Sequence, residues 1–336
     1  MQHQSVILPW QQPDWLENVT AWIHDHLAAA NIHPTGAVEL LHQRPWSSFA
    51  RITTGHGIVY FKAPAPAFTY EAAVTQALAG WRPDCTVPLL AVDLDQGWML
   101  SLDAGVTLRT ASPSADQVED WVRILPFYVD LQIEMAARVP ELLALGMPDR
   151  RLAMLPTLYT NLLASTTDLR VGQDAGLTPA EYQRLLDLRP EVAALCAQLA
   201  GYGLPATLTH EEVHDANVLV SGDRCIFIDW SDASVAHPFF TILVTLRAAA
   251  HRLKLAEDGP AMLRVRDAYL EPWTRFTTRS EISSAFTLAY RLAMINRALS
   301  WQQGLSNAPE KEKAPYADSV PGWLQDFLIS FTQDGL

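Results

Sequence analysis

Thr209-His210-Glu211-Glu212-Val213-His214-Asp215-Ala216-Asn217-Val218-Leu219-Val220, followed by Ile226-Phe227-Ile228-Asp229-Trp230, is the stretch whose reading decides the fold. Taken literally, His210-Glu211-Glu212-Val213-His214 matches H-E-x-x-H, in which two histidines one helical turn apart bind zinc and the first glutamate activates water. That chemistry needs a helix, so that both imidazoles share a face. Here the motif lies between the β-leaning runs 206–209 and 218–220, and Asn217 and Val220 stand where an extended zinc motif carries glycine and a third histidine. A second pattern runs through the same residues. A carboxylate at Glu212 is followed five residues later by Asn217, and Asp229 comes after one short hairpin.

Working back from this stretch, strand-like runs occur at 37–41, 49–53 and 58–62, joined by Pro45-Trp46-Ser47-Ser48 and Gly55-His56-Gly57. Good helix formers fill 70–79, and strand patterns resume at 87–92 and 98–102 across an Asp95-Gln96-Gly97 turn. Before the first strand, Asp14 and Glu17 have capping-box spacing, and Trp15, Val19, Trp22, Ile23 and Leu27 recur at helical intervals. These elements predict a small α+β lobe over residues 1–103. Beyond it, helical periodicity covers 116–139, 151–164 and 179–200, the last opened by the capping set Thr178-Pro179-Ala180-Glu181 after a polar loop at 165–177. A hairpin at 218–228 turns at Ser221-Gly222-Asp223, and helices follow at 238–253, 258–271, 279–303 and 321–333. Residues 104–336 thus read as a second, mainly helical lobe carrying the decisive stretch.

Composition narrows the function classes. The 336 residues are 49% hydrophobic and 18% charged, enough apolar material for two cores and too much for wholesale disorder. A net charge of −13 without a Lys/Arg cluster excludes nucleic acid as the main partner, while an acidic surface tolerates a cationic small molecule. No apolar run is long enough to span a bilayer and the N-terminal residues lack a signal-peptide pattern, so no membrane association and a cytoplasmic location are expected. Cys85, Cys196 and Cys225 are scattered, as reduced core thiols are. Trp121, Leu125 and Tyr128 have the spacing of packing residues rather than of a ligand-stacking site.

The two linked motifs resemble the aminoglycoside phosphotransferase family, whose catalytic loop reads H-x-D-x-x-x-x-N and is followed by I-D-[FW]. The likeness is patterned over about residues 37–250 and includes Gly146-Met147-Pro148-Asp149-Arg150-Arg151 and the run 229–240, as in a bacterial branch whose members are called simply phosphotransferases. It implies a bilobal, protein kinase-like α+β fold that moves the γ-phosphate of ATP or GTP, with Mg²⁺, to a hydroxyl of a small molecule. By this resemblance Glu212 is the catalytic base, and Asn217 and Asp229 are the metal ligands. Lys62 meets the nucleotide phosphates, Glu71 pairs with Lys62, Ser47 and Ser48 replace a glycine-rich phosphate loop, and Ser101, Leu102 and Asp103 form the adenine hinge. His210 and His214 then shape the loop.

Glu212 departs from the family, which has aspartate there. The extra methylene displaces the carboxylate, so two outcomes stay open: a working kinase with a repositioned glutamate, or a pseudokinase that holds nucleotide without turnover. Glu211 is the poorer substitute, because adjacent residues of an extended loop face opposite sides.

Overall fold

Between Trp15 and Ala29 the apolar residues return every three or four positions, and helix α1 (Trp15–Ala29) buries Trp15, Val19, Ile23 and Leu27 along one face. That face packs on Ala50, Ile52, Val59, Phe61, Ala63 and Leu100, which come from an antiparallel sheet. The sheet contains β1 (Glu39–Arg44), β2 (Ser47–Thr54) and β3 (Gly57–Pro64), then, beyond helix α2 (Tyr70–Trp81), β4 (Leu89–Asp93) and β5 (Trp98–Leu102). Its spatial order is β1-β2-β3-β5-β4. Gly57 makes the β2–β3 turn at φ 116°, a conformation that a side chain would strain. The computed structural model describes residues 7–112, 117–222 and 224–332.

Three expectations are corrected here. Asp14 sits at the α1 N-cap without a side-chain cap bond, because its φ of −96° and ψ of 7° continue the preceding turn instead of extending the chain. The first strand runs over Glu39–Arg44 rather than 37–41. It is an edge strand exposed throughout, so no burial alternation marks its register, which a two-pronged Arg51–Glu39 pair at 2.9 and 3.1 Å helps to fix. The region 179–200 is two helices, Pro179–Asp187 and Arg189–Ala200, because Pro190 has no N–H for the i−4 bond. The capping box of the first is present as read, with Glu181 N donating to Thr178 Oγ1 at 3.2 Å.

The described chain divides into two units. One comprises residues through Val106 together with Leu219–Ser231 and Gln303–Pro315; the other comprises Thr107–Val218, Asp232–Gln302 and the chain from Tyr316. In the second, the long helix Gln117–Met135 buries Trp121, Leu125 and Tyr128 as core. Residues 165–177 are less polar in role than their composition suggests. A short helix Thr166–Leu169 interrupts them, and Leu169 and Leu177 are fully buried. The strands Thr207–Thr209 and Ser234–Ala236 pair antiparallel and bracket the decisive loop in sequence. The hairpin strands are Val218–Ser221 and Arg224–Phe227. Asp223 of its turn, the first residue of the helix expected from 116, the last of that expected to 333, and the first six residues of the leading segment lie outside the described residues. No helix among the described residues is long and apolar enough to cross a membrane.

Candidate active site

Strand alternation decides which side chains share a face of the sheet. Val59, Phe61 and Ala63 of β3 point into the α1 core, so Tyr60 and Lys62 face the other way. On that second face Phe49 stacks on Tyr60 at 5.5 Å between ring centroids, and His42 stacks on Phe49 at 5.5 Å. The β3–α2 connection is extended to Ala65, and Glu71 enters on the first turn of α2. Lys62 Nζ donates to Glu71 Oε1 at 2.6 Å and to Asp229 Oδ1 at 2.6 Å. Burial acts to lower the ammonium's pKa, but the Asp229 and Glu71 carboxylates more than reverse it, so Lys62 is held charged.

Asp229 stands in the left-handed region at φ 68°, a conformation uncommon for a non-glycine residue and frequent at functional sites. Ser231 Oγ donates to its Oδ1 at 2.7 Å, and the Tyr70 hydroxyl donates to the Ser231 carbonyl, so α2 anchors the segment after the aspartate. Neither Tyr70 nor Ser231 was readable from the motif, although each is close in sequence to a residue that was. Ser47 and Ser48 lie within β2 and not in the turn. Ser48 is fully buried on the core-facing parity, away from Lys62, whereas Ser47 shares the Lys62 parity. At the end of β5, Leu102 N donates to Pro88 O at 2.9 Å and Asp103 N to Ile58 O at 3.1 Å, so these two donors are engaged by backbone.

In the second unit the segment 210–217 is an irregular loop, and this removes the helical platform that a zinc motif requires. Its two imidazoles serve the backbone instead. His210 Nδ1 accepts from Glu212 N at 3.1 Å and His214 Nδ1 accepts from Ala216 N at 3.3 Å. His210 N donates to the Tyr128 hydroxyl at 2.9 Å, tying the loop to the core helix. No cluster of three His, Cys, Asp or Glu suited to a metal is found among the described residues.

The two adjacent glutamates lie in a turn rather than an extended segment, so both meet the helix Arg279–Leu305 instead of facing opposite sides, and they differ in burial. Glu211 is buried and accepts from Arg150 Nη1 at 2.9 Å, Ser234 Oγ at 3.0 Å and Ser300 Oγ at 2.8 Å, with Asn296 Nδ2 as a further donor. Burial raises its pKa, while Arg150 and Arg297 oppose the shift. Glu212 is 27% exposed and accepts from Arg297 Nη2 at 2.7 Å. Asn217 Nδ2 donates to Glu212 O at 3.1 Å, which commits the amide nitrogen and leaves the oxygen as the group suited to a hard cation. Asp215 is buried against Arg109 at 2.7 Å and Arg252 at 3.4 Å. Arg150, Arg297 and Asn296 lie far from the motif in sequence and carried no signal in it.

A model described as the phosphotransferase enzyme family matches residues 46–277 of the chain. No curated protein matches it by sequence. Among solved structures the chain is similar to an ethanolamine kinase of Plasmodium vivax (12% identity, 95% of this chain and 89% of that one, TM-score 0.62). It is also similar to a choline/ethanolamine kinase family protein of Mesorhizobium loti (15%, 94% and 95%, TM-score 0.60). A macrolide 2′-phosphotransferase of Brachybacterium faecium is a third (18%, 89% and 97%, TM-score 0.56). At these identities the likeness speaks for the fold.

Proposed function

The chain belongs to the phosphotransferase enzyme family, and from that premise we propose that it transfers the γ-phosphate of ATP, with Mg²⁺, to a hydroxyl of a small molecule. The observation that carries this reading is the Lys62 ammonium held at 2.6 Å from both Glu71 and Asp229. A buried cation fixed by one carboxylate from α2 is suited to receive nucleotide phosphates, and Glu71 aims it. Asp229 in the first unit supplies a partly exposed carboxylate and Asn217 in the second an amide oxygen, each a hard ligand of the kind a magnesium ion takes. Mg²⁺ bound by them would neutralise charge on the phosphate oxygens.

Glu212 takes the hydroxyl proton or orients the hydroxyl. The acceptor oxygen bonds to the γ-phosphorus as the bond to the bridging oxygen breaks, and ADP leaves with that electron pair. The backbone of Ser101, Leu102 and Asp103 receives the adenine, with the acceptor role falling to carbonyls where the N–H groups are engaged. Aminoglycosides, macrolides, choline, homoserine and sugar amines are the acceptor classes to try, and the acidic chain suits their cationic members.

Thermal unfolding with millimolar ATP tests the nucleotide site. A midpoint that rises only when Mg²⁺ is present is expected, because ligand at about 100 times its Kd adds about 2.7 kcal/mol to the native state. No metal-dependent rise in nucleotide-free protein refutes the assignment of Lys62, Asn217 and Asp229. ADP release across the acceptor panel then tests transfer, and nucleotide binding without any release selects the pseudokinase.

A further inference from the structure

One face of the helix Arg279–Leu305 grips both loop glutamates: Asn296 and Ser300 bond Glu211, while Arg297 bonds Glu212. We infer that Arg297 is the positioning residue that sets the Glu212 carboxylate for phosphoryl transfer, a role that rests on the phosphotransferase reading above. Arg297 does not touch the reacting atoms in this assignment. It acts through the glutamate.

Burying an arginine is costly. The side chain is 4% exposed, and a desolvated guanidinium persists only with compensating charge. Compensation here is uneven. Nη2 donates to Glu212 Oε1 at 2.7 Å, whereas Nη1 stands 3.6 Å from Asp232 Oδ2, beyond a hydrogen bond. Nε and Nη1 are buried and find no hydrogen-bond partner among the described residues. An arginine placed for stability alone would satisfy its fork; this one spends its single good bond on the carboxylate at the base position.

The orientation of the guanidinium is fixed from the side by aromatic rings. Its central carbon lies 5.9 Å from the Trp301 ring centroid and 5.9 Å from that of Trp323. Trp301, one helical turn beyond Arg297, in turn stacks on Tyr316 at 5.7 Å with a 30° interplanar angle. A planar cation against two indoles loses freedom to tilt, and lysine would lose both the plane and the fork. Glutamate has one more rotatable bond than the aspartate usual at this position. Pinning one carboxylate oxygen removes the freedom that the added methylene introduces, which is the geometric problem raised by a longer base.

The test is a double-mutant cycle on ADP release from Mg-ATP with whichever of the panel compounds, aminoglycoside, macrolide, choline, homoserine or sugar amine, gives the fastest release. Wild type, Arg297→Met, Glu212→Gln and the double variant are compared for kcat and for the KM of ATP. Arg297→Met is expected to lower kcat by about 10-fold or more with the KM for ATP within about twofold, and to add nothing further in the Glu212→Gln background. Arg297→Lys, which keeps the buried charge and guards against a folding artefact, is expected to fall between wild type and Arg297→Met. Equal fractional losses in both backgrounds would make Arg297 a structural residue and overturn the inference, as would wild-type kcat in Arg297→Met. Wild-type turnover in Glu212→Gln, or no ADP release by wild type with any panel compound, refutes the base assignment itself and the inference with it.

Discussion

Replacing Lys62 with Met removes the cation that two carboxylates share, and the structure indicates where the loss falls. Asp229 is 36% exposed, so water screens much of its half of the interaction. Glu71 is 1% exposed, and without Lys62 its carboxylate loses the ammonium that compensates for its burial. Breaking a buried pair from one side costs about 3–5 kcal/mol. For a chain of this size each kcal/mol moves the unfolding midpoint by roughly 2 °C, which predicts a fall of about 6–10 °C for nucleotide-free Lys62→Met. Replacing both partners, Lys62→Met with Glu71→Leu, leaves no buried charge and is expected to recover most of that fall. Phosphoryl transfer stays lost in both variants, since neither retains the phosphate-binding ammonium. Thermal unfolding at neutral pH without nucleotide measures the first effect and ADP release the second. A wild-type midpoint in Lys62→Met, or a double variant no more stable than the single, would refute the reasoning.

Asp229→Asn is expected to abolish turnover with the unfolding midpoint nearly unchanged, because a neutral amide holds Mg²⁺ less well; transfer at the wild-type rate would remove it as a metal ligand. His237 is buried and its pKa is pushed down to about 3, with its Nδ1 accepting from Phe239 N at 3.3 Å. Its unfolded value is about 6.5, so the unfolded chain binds the extra proton and stability falls as pH drops from about 6.5 toward 3, by roughly 1 kcal/mol at pH 5.5. His237→Asn keeps a capping acceptor and removes this loss, so urea unfolding should show a smaller drop between pH 7 and 5.5 than wild type; parallel drops would contradict it. His214→Ala is expected to leave the zinc content of purified protein unchanged, whereas loss of stoichiometric zinc would restore the hydrolase reading.

The site was legible where chemistry and chain neighbourhood coincide. Lys62 and Glu71 are nine positions apart, and the extended segment after β3 lets them meet, so sequence spacing was informative. The loop histidines were readable for the same reason, each bonding a backbone N–H two residues on. Arg297 was not, because it is 85 residues from Glu212 and sits within a helix whose pattern signals only packing. Arg150 stands in a stretch that carries the family likeness, but its partner Glu211, 61 residues on, was not legible from it. Within the fold, buried faces announced themselves through periodicity, as in α1, while β1 is exposed on both faces and its register escaped. Helical periodicity also ran straight through Pro190, where a missing N–H, invisible to an apolar pattern, splits the helix.

The most direct test of the account concerns Glu212, since one carboxylate at the base position separates an enzyme from a nucleotide-binding relative without turnover. Glu212→Gln preserves size and removes charge. Under saturating Mg-ATP and an acceptor that supports release of ADP by wild type, the account predicts that kcat falls by about 10²-fold or more while ATP binding is unchanged. Equal rates of ADP release from wild type and Glu212→Gln would contradict it.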